Sequence, residues 1–198
     1  MSFRLRYSAP LKLFSIFLGV TVVTESCAYY LPGMMHLKTN YPIYNIFMLV
    51  EYCIYVSYFK LIIKSKKRRS LINVSFYLIP VAWFLTTFLR FGLFQWNSYM
   101  IIIGDCLVIC FCVFNFYELF TAKQLRDLKS NPEFWISVGI FIYSCCELPI
   151  TGLLNFLGQN FATNILYFYD ILQVLNIFMY SIFIYAYLCP IKTNTTKY

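Results

Sequence analysis

The sequence predicts an all-α protein, a polytopic bundle of six transmembrane helices with both termini on the cytoplasmic side. Of the 198 residues, 61% are apolar and only 12% are charged, whereas about a quarter of the residues of a soluble domain are charged. The apolar residues also gather into six runs separated by short connections, and each run is long enough to cross about 30 Å of hydrocarbon. We therefore expect a single transmembrane domain over residues 1–198.

Each run approaches the roughly twenty residues that a helical span needs, and none alternates polar and apolar residues as barrel strands do. The first run follows basic residues, as a signal peptide would, but Glu25 lies where a cleavage site needs small neutral residues. We therefore expect this run to be retained as a helix. The predicted spans are residues 11–30, 42–63, 71–89, 99–118, 134–153 and 165–189.

The stretch NPEFW predicts the start of the fifth span. Asn131 can cap a helix, Pro132 suits the first helical position, and Glu133 favours the positive end of the helix dipole. These three residues precede a run of apolar side chains. We therefore expect the helix to begin at this point.

The basic residues predict the orientation of the spans. Fourteen of the 16 Lys and Arg residues fall at alternate ends of the spans, and only Lys38 and Arg90 fall at the other ends. Because cytoplasmic loops carry the excess of Lys and Arg, both termini are expected inside and the number of spans is expected to be even. The fourteen are Arg4, Arg6, Lys12, Lys60, Lys64, Lys66, Lys67, Arg68, Arg69, Lys123, Arg126, Lys129, Lys192 and Lys197.

The densest basic segment is KSKKRR, which contains Lys64, Lys66, Lys67, Arg68 and Arg69. Such a segment beside a span predicts contact with anionic lipid, and a cytoplasmic protein partner is the other expectation. The net charge of +8 is explained mainly by topology, so nucleic-acid binding is not expected. A homo-oligomer is a further expected form of partnership.

The eight cysteines lie in or beside the spans, and no pair has the spacing of a zinc finger. Cysteine packs as a small hydrophobic residue, so buried reduced thiols are the expectation. A metal or redox role for Cys106, Cys110 and Cys112 is the alternative. The single histidine, His36, is a poor basis for nucleophilic or metal catalysis, so neither an enzyme nor a cofactor is expected.

Five acidic residues lie inside the predicted spans: Glu25, Glu51, Asp105, Glu147 and Asp170. Each costs about 2–3 kcal/mol or more at the bilayer centre, so such residues usually face protein or water. At about 1.5 Å per residue, four of them fall roughly 8–10 Å below the outer surface, and Glu51 falls roughly 14 Å below it. The sequence therefore predicts one outward-facing acidic layer with Glu51 as its deepest member.

Other polar residues share helical faces with these acids. Ser137, Ser144, Glu147 and Thr151 form one stripe, Thr21 precedes Glu25 by one turn, and Asn45 sits above Glu51. In the sixth span, Asp170, Gln173 and Asn176 are spaced by three and three, and this second stripe is expected to point inward as well. The predicted pocket contains Glu25, Asn45, Glu51, Asp105, Glu147, Asp170, Gln173 and Asn176.

Five carboxylates close together cannot all be charged in a low dielectric. The acids are therefore expected to be mostly protonated and hydrogen-bonded, to line a wet cavity, or to hold a cation. A functional pocket would indicate a sensor-like or regulatory module, or a cation- or proton-coupled transporter or channel subunit. A hydrogen-bonded core that only fixes helix packing would indicate a scaffold subunit with an inert polar core.

Four features of the sequence occur together: the acid Glu25, an Asn-x-Phe…Glu pattern ending at Glu51, the Tyr-Glu-Leu-Phe of residues 117–120, and the Pro-x-Phe-Trp of residues 132–135. With these features the chain resembles a family of small multi-pass membrane proteins from Bacteroidota. The resemblance covers residues 20–189, and members often carry one more N-terminal span. It implies a fold and a location, a bacterial inner membrane, and it brings no known activity.

Overall fold

The computed structural model describes residues 9–36, 38–121, 128–160 and 165–189, and this part of the chain contains six α-helices and no strand. Each helix includes a stretch long and apolar enough to cross a membrane, so the prediction of an all-α chain with six spans is confirmed. The helices are α1 (Ala9–Met34), α2 (Tyr41–Ile62), α3 (Lys66–Thr86), α4 (Ser98–Thr121), α5 (Pro132–Asn160) and α6 (Ile165–Leu188).

Several helices extend beyond the predicted apolar runs, most clearly α3 and α5. The helix α3 already begins at Lys66, five residues before the predicted start of the apolar span at residue 71, and residues 66–69 form its first turn. Lys and Arg are good helix formers, so a run of them does not end a helix. As a result, only residues 63–65 connect α2 to α3.

The start of α5 follows the prediction from NPEFW. The backbone N–H of Glu133 donates to Oδ1 of Asn131 over 3.0 Å, and Pro132 is the first residue of the helix. The Asn131 side chain therefore satisfies one of the backbone donors that a helix N-terminus leaves open.

The chain divides into two compact units, Met1–Val108 and Ile109–Tyr198. The first contains α1, α2, α3 and the beginning of α4. At the end of α3, a π-helical turn (Thr87–Phe91) leads to Gly92, whose φ of 76° suits a residue without Cβ. The second unit contains the rest of α4 together with α5 and α6.

In the second unit, α5 and α6 pack closely around a glycine. A Cβ built on Gly139 would lie 2.8 Å from Cε1 of Phe183, which is far inside van der Waals contact. Near the start of α5, the indole N–H of Trp135 donates to the carbonyl of Lys129 over 3.0 Å. The thiol of Cys189 donates to the same carbonyl over 3.5 Å, and burial raises the pKa of this thiol.

The cysteines only partly follow the expectation of buried thiols. Cys112 and Cys189 are buried, whereas Cys106, Cys110 and Cys145 are exposed, so the prediction was wrong for these three. A thiol is apolar enough to face lipid as readily as protein. Among the described residues, no group of three His, Cys, Asp or Glu side chains could hold a metal ion.

Candidate functional site

Aromatic pairs fix the register between α1 and α2. The rings of Phe14 and Tyr58 lie 5.6 Å apart, and those of Phe17 and Tyr55 lie 5.1 Å apart. Moving three residues forward on α1 therefore corresponds to moving three residues back on α2. The two helices run antiparallel, and one turn further along this interface Thr21 stands opposite Glu51.

Glu51 lies on the face of α2 that packs against α1. Its Oε1 accepts a hydrogen bond from the hydroxyl of Tyr55, one turn further along the helix, over 2.8 Å. Thr21, opposite, is buried and donates its own hydroxyl to the carbonyl of Phe17 over 3.0 Å. The half-buried carboxyl group of Glu51 is thus oriented by a tyrosine and enclosed on one side by α1.

Glu25 occupies a different setting on the same helix pair. It is exposed, and its Oε2 accepts a hydrogen bond from the hydroxyl of Tyr44 over 3.0 Å. By the register of α1 and α2, Glu25 lies four residues, or about 6 Å, from the level of Glu51. It therefore marks the rim of this interface and not its interior.

Two contacts fix the register between α2 and α4. The backbone N–H of Asn97 donates to Oδ1 of Asn45 over 3.3 Å, and a Cβ on Gly104 would lie 3.7 Å from the ring of Tyr52. The second contact lies seven residues after the first on both segments, from Asn45 to Tyr52 and from Asn97 to Gly104. The helices α2 and α4 therefore run parallel. Within the first unit, a residue of α4 is therefore level with the α2 residue 52 positions before it.

This register places Asp105 beside Glu51 in depth. Asp105 is level with Cys53, two residues or about 3 Å beyond Glu51, and its side chain is buried, with 9% exposed. Glu51 and Asp105 therefore lie at nearly the same level, and the depth of Glu51 below an outer surface stays a prediction. The helix α4 begins at Ser98, which is level with Ile46 of α2. Asp105 therefore lies farther from the start of α2 than its position within α4 alone suggests.

The described basic side chains of the first unit lie far from this depth. Lys60 is nine residues beyond Glu51, and Lys12 is nine residues before Thr21, which places each about 14 Å away along the helices. His36 and Lys38 precede the start of α2 and lie farther still. The side chain of Arg90 lies outside the described residues.

The side chain of Asn45, another predicted pocket residue, is hydrogen-bonded to the loop of residues 92–97. Its Nδ2 donates to the carbonyls of Leu93 and Gln95 over 2.9 and 2.8 Å, and its Oδ1 accepts from Asn97. The indole of Trp83 donates to the backbone carbonyl of Asn45 over 3.0 Å. With 1% of its surface exposed, the residue serves as the anchor of this loop.

The remaining predicted residues belong to the second unit. The α5 stripe faces the interior as expected, since Ser137, Ser144 and Thr151 are buried and Glu147 is half-buried. On α6, however, the inward orientation was wrong for two members: Asp170 and Gln173 are exposed, and Asn176 is half-buried. The buried face of α6 carries Met179, Phe183 and Ala186 instead.

Within the first unit, the structure thus places Glu51 and Asp105 at similar levels along the helices, with Glu25 at the rim. Glu147 and the predicted residues of α6 belong to the second unit, so a single five-carboxylate layer stays a prediction. Sequence analysis missed the tyrosine partners, although the four-residue spacing of Glu51 and Tyr55 could have revealed one of them. It named Thr21 only as a neighbour of Glu25, because the position of Thr21 opposite Glu51 depends on the register of two helices.

The basic segment KSKKRR lies at the other end of the first unit. Lys64, Lys66, Lys67 and Arg69 are exposed, and Arg68 is half-buried.

Comparison of the chain with protein-family models, with curated proteins and with solved structures gave no match. Function must therefore be argued from the residues themselves.

Proposed function

We propose that the chain is a sensor-like, regulatory membrane module whose first unit binds a cation or a proton at the carboxyl groups of Glu51 and Asp105. The observation that carries the proposal is their shared depth, at which the described part of the unit places no basic side chain. We name these two residues the acid pair.

Two carboxyl groups at one level of a membrane-spanning unit suggest a site for a cation or a proton. A carboxylate in a low-dielectric interior is costly unless it is paired, and acids in spans therefore often mark ion or proton sites. A bound cation or proton would remove that cost. The hydroxyl of Tyr55, which donates to Glu51, would hold the carboxyl group in one orientation while the ligand enters and leaves.

The proposed orientation follows from the basic residues. We place both termini on the cytoplasmic side of a bacterial inner membrane, as the distribution of Lys and Arg favours and as the resemblance to the Bacteroidota family implies. Glu25 would then lie nearer the outer surface than the acid pair, and KSKKRR would lie inside. A change at the acid pair would be passed to a cytoplasmic protein partner.

A transporter or channel subunit is the second candidate, and irregular helix geometry in the same unit favours it. Pro80 lies inside α3, and the π-helical turn Thr87–Phe91 follows at its end. Interrupted helices and π turns occur frequently at transport and other functional sites. In this case the acid pair would carry the moving cation or proton.

Thermal unfolding of the purified full chain in detergent tests the proposal. Melting temperatures are measured across a pH series and with Na⁺, K⁺, Mg²⁺ or Ca²⁺ at constant ionic strength. A ligand at a hundred times its Kd stabilises the folded state by about 2.7 kcal/mol. We expect the wild type to respond to pH or to one cation, and we expect Glu51→Gln and Asp105→Asn to lose that response.

Glu25→Gln is the matched control, because it neutralises an exposed acid of the same unit, and it should respond as the wild type does. Reconstitution into liposomes with an ion-sensitive dye then separates the two candidates. A response without flux supports the sensor, and flux that both variants lose supports the transporter. A wild type that responds to neither pH nor any cation would refute both candidates. Lower melting temperatures of Glu51→Gln and Asp105→Asn would then indicate an inert polar core that holds the helices together.

A further inference from the structure

The first unit carries a collar of exposed basic side chains at the end opposite the Asn45 loop. The collar consists of Lys12, Lys60, Lys64, Lys66, Lys67 and Arg69. It is wider than the KSKKRR segment, because it includes one residue from α1 and one from α2. It belongs to neither the acid pair nor the Asn45 loop anchor.

The helix register brings the members of the collar to one depth. The contacts of Phe14 with Tyr58 and of Phe17 with Tyr55 place Lys12 level with Lys60. Only residues 63–65 separate α2 from α3, so the basic residues that begin α3 lie at this same end. Residues far apart in the sequence therefore form one charged band.

The described acids of this unit lie at other depths. Glu51 is nine residues from Lys60, or about 14 Å, and Asp105 is about 10 Å from that level. Glu25 lies farther still, near the opposite end of the helices. The positive charge of the collar is therefore concentrated at one end of the unit and is not interleaved with carboxylates.

Exposed apolar side chains border the collar. Ile16, Leu61, Leu71 and Val74 have 59%, 50%, 53% and 52% of their surface exposed. Each lies within about two turns of a collar residue along its own helix. An apolar surface that ends in basic side chains matches a lipid molecule, whose acyl chains lie beside the phosphate of its headgroup, and the aliphatic stems of lysine can follow that surface.

We propose that the collar binds the headgroups of anionic phospholipids, with their acyl chains along the bordering apolar surface. The position of the charges decides between lipid and a soluble partner. The collar lies at the ends of the apolar helices α1, α2 and α3, where such spans would meet the headgroup region, and its members are distributed over these helices instead of forming one pocket. The inference is independent of the proposed function of the acid pair.

Electron paramagnetic resonance with spin-labelled lipids tests the proposal on the reconstituted full chain. The measurement gives the association constant of phosphatidylglycerol relative to phosphatidylcholine at the protein surface. A basic residue near an anionic surface contributes about a fivefold factor. We expect a ratio of at least about two for the wild type, averaged over all surface sites.

The variant K64Q/K66Q/K67Q/R69Q should bring this ratio close to one, and Lys60→Gln alone should lower it partially. Lys38→Gln is the matched control, since it removes an exposed lysine at the other end of the unit. Should the quadruple variant fail to fold, the double variant K12Q/K60Q replaces it, and it too should lower the ratio.

Three results would overturn the proposal. The first is a wild-type ratio of one, and the second is an unchanged ratio in the folded collar variants. The third is loss of the preference on adding inorganic phosphate at matched ionic strength, because the collar would then bind free phosphate and not lipid.

Discussion

Replacing Asn45 by alanine should release the loop of residues 92–97 from α2. The Asn45 amide donates to two loop carbonyls, those of Leu93 and Gln95, and its Oδ1 accepts from the backbone N–H of Asn97. The side chain is almost completely buried. Alanine would remove all three hydrogen bonds and leave the buried N–H of Asn97 without this acceptor.

The expected loss follows from these contacts. Each hydrogen bond contributes about 1 kcal/mol net, and a buried donor left unsatisfied costs about 1–3 kcal/mol. Water can reach Gln95, which is exposed, and would replace part of what its carbonyl loses. We therefore expect Asn45→Ala to lower the free energy of unfolding by about 2–4 kcal/mol.

Denaturant unfolding in detergent micelles, followed by tryptophan fluorescence, measures this free energy. Trp96 reports on the loop itself, because its ring lies 5.7 Å from that of Tyr41. Hydrogen exchange of the Asn97 amide should accelerate in the variant. Asn45→Asp should destabilise as well, since it places a carboxylate oxygen opposite two carbonyls.

Asn176→Ala, which removes a half-buried amide on α6, is the control and should cost less than about 1 kcal/mol. The reasoning would be refuted if Asn45→Ala unfolded within 1 kcal/mol of the wild type while the Asn97 amide exchanged at its original rate.

Two further predictions concern the second unit. Gly139→Ala should destabilise the folded state by about 1–3 kcal/mol, because its Cβ would overlap the ring of Phe183 on α6. Gly152→Ala, on the same helix, is the control: its Cβ meets no atom within 4 Å, so it should not destabilise. Equal melting temperatures of the two variants would contradict the close packing. Ser137→Ala should cost about 1–2 kcal/mol, because the buried Nδ2 of Asn115 donates to this hydroxyl over 2.9 Å. Ser181→Ala removes an exposed hydroxyl and should leave the melting temperature unchanged, so an equal effect of the two serine variants would contradict the role of this bond.

The six spans could be predicted from the sequence because the length and apolarity of a span are local properties. The start of α5 could be predicted for the same reason, since Asn131 and Pro132 act within one turn. The start of α3 could not, because Lys66 and its neighbours are charged yet remain helical. Apolarity identifies the part of a helix that crosses a membrane but not where the helix itself begins.

Helical spacing revealed which polar residues share a face but not the direction in which that face turns. The α5 stripe was predicted to point inward, and Ser144 and Thr151 are indeed buried. The α6 stripe obeyed the same spacing, yet Asp170 and Gln173 are exposed. The orientation of α6 follows from the packing of its apolar face against its neighbours, which no periodicity within α6 specifies.

The sequence by itself determined that acids lie within the spans and that basic residues gather at alternate span ends, because residue type and order are enough to establish both. Only the tertiary structure decided the relative levels of the acids in the first unit. Asp105 is level with the residue two beyond Glu51 because Asn45 holds the residue before α4 in place, and that contact joins positions 52 residues apart. The same contact is part of the reason that Asn45, which was predicted to line a ligand pocket, instead anchors a loop.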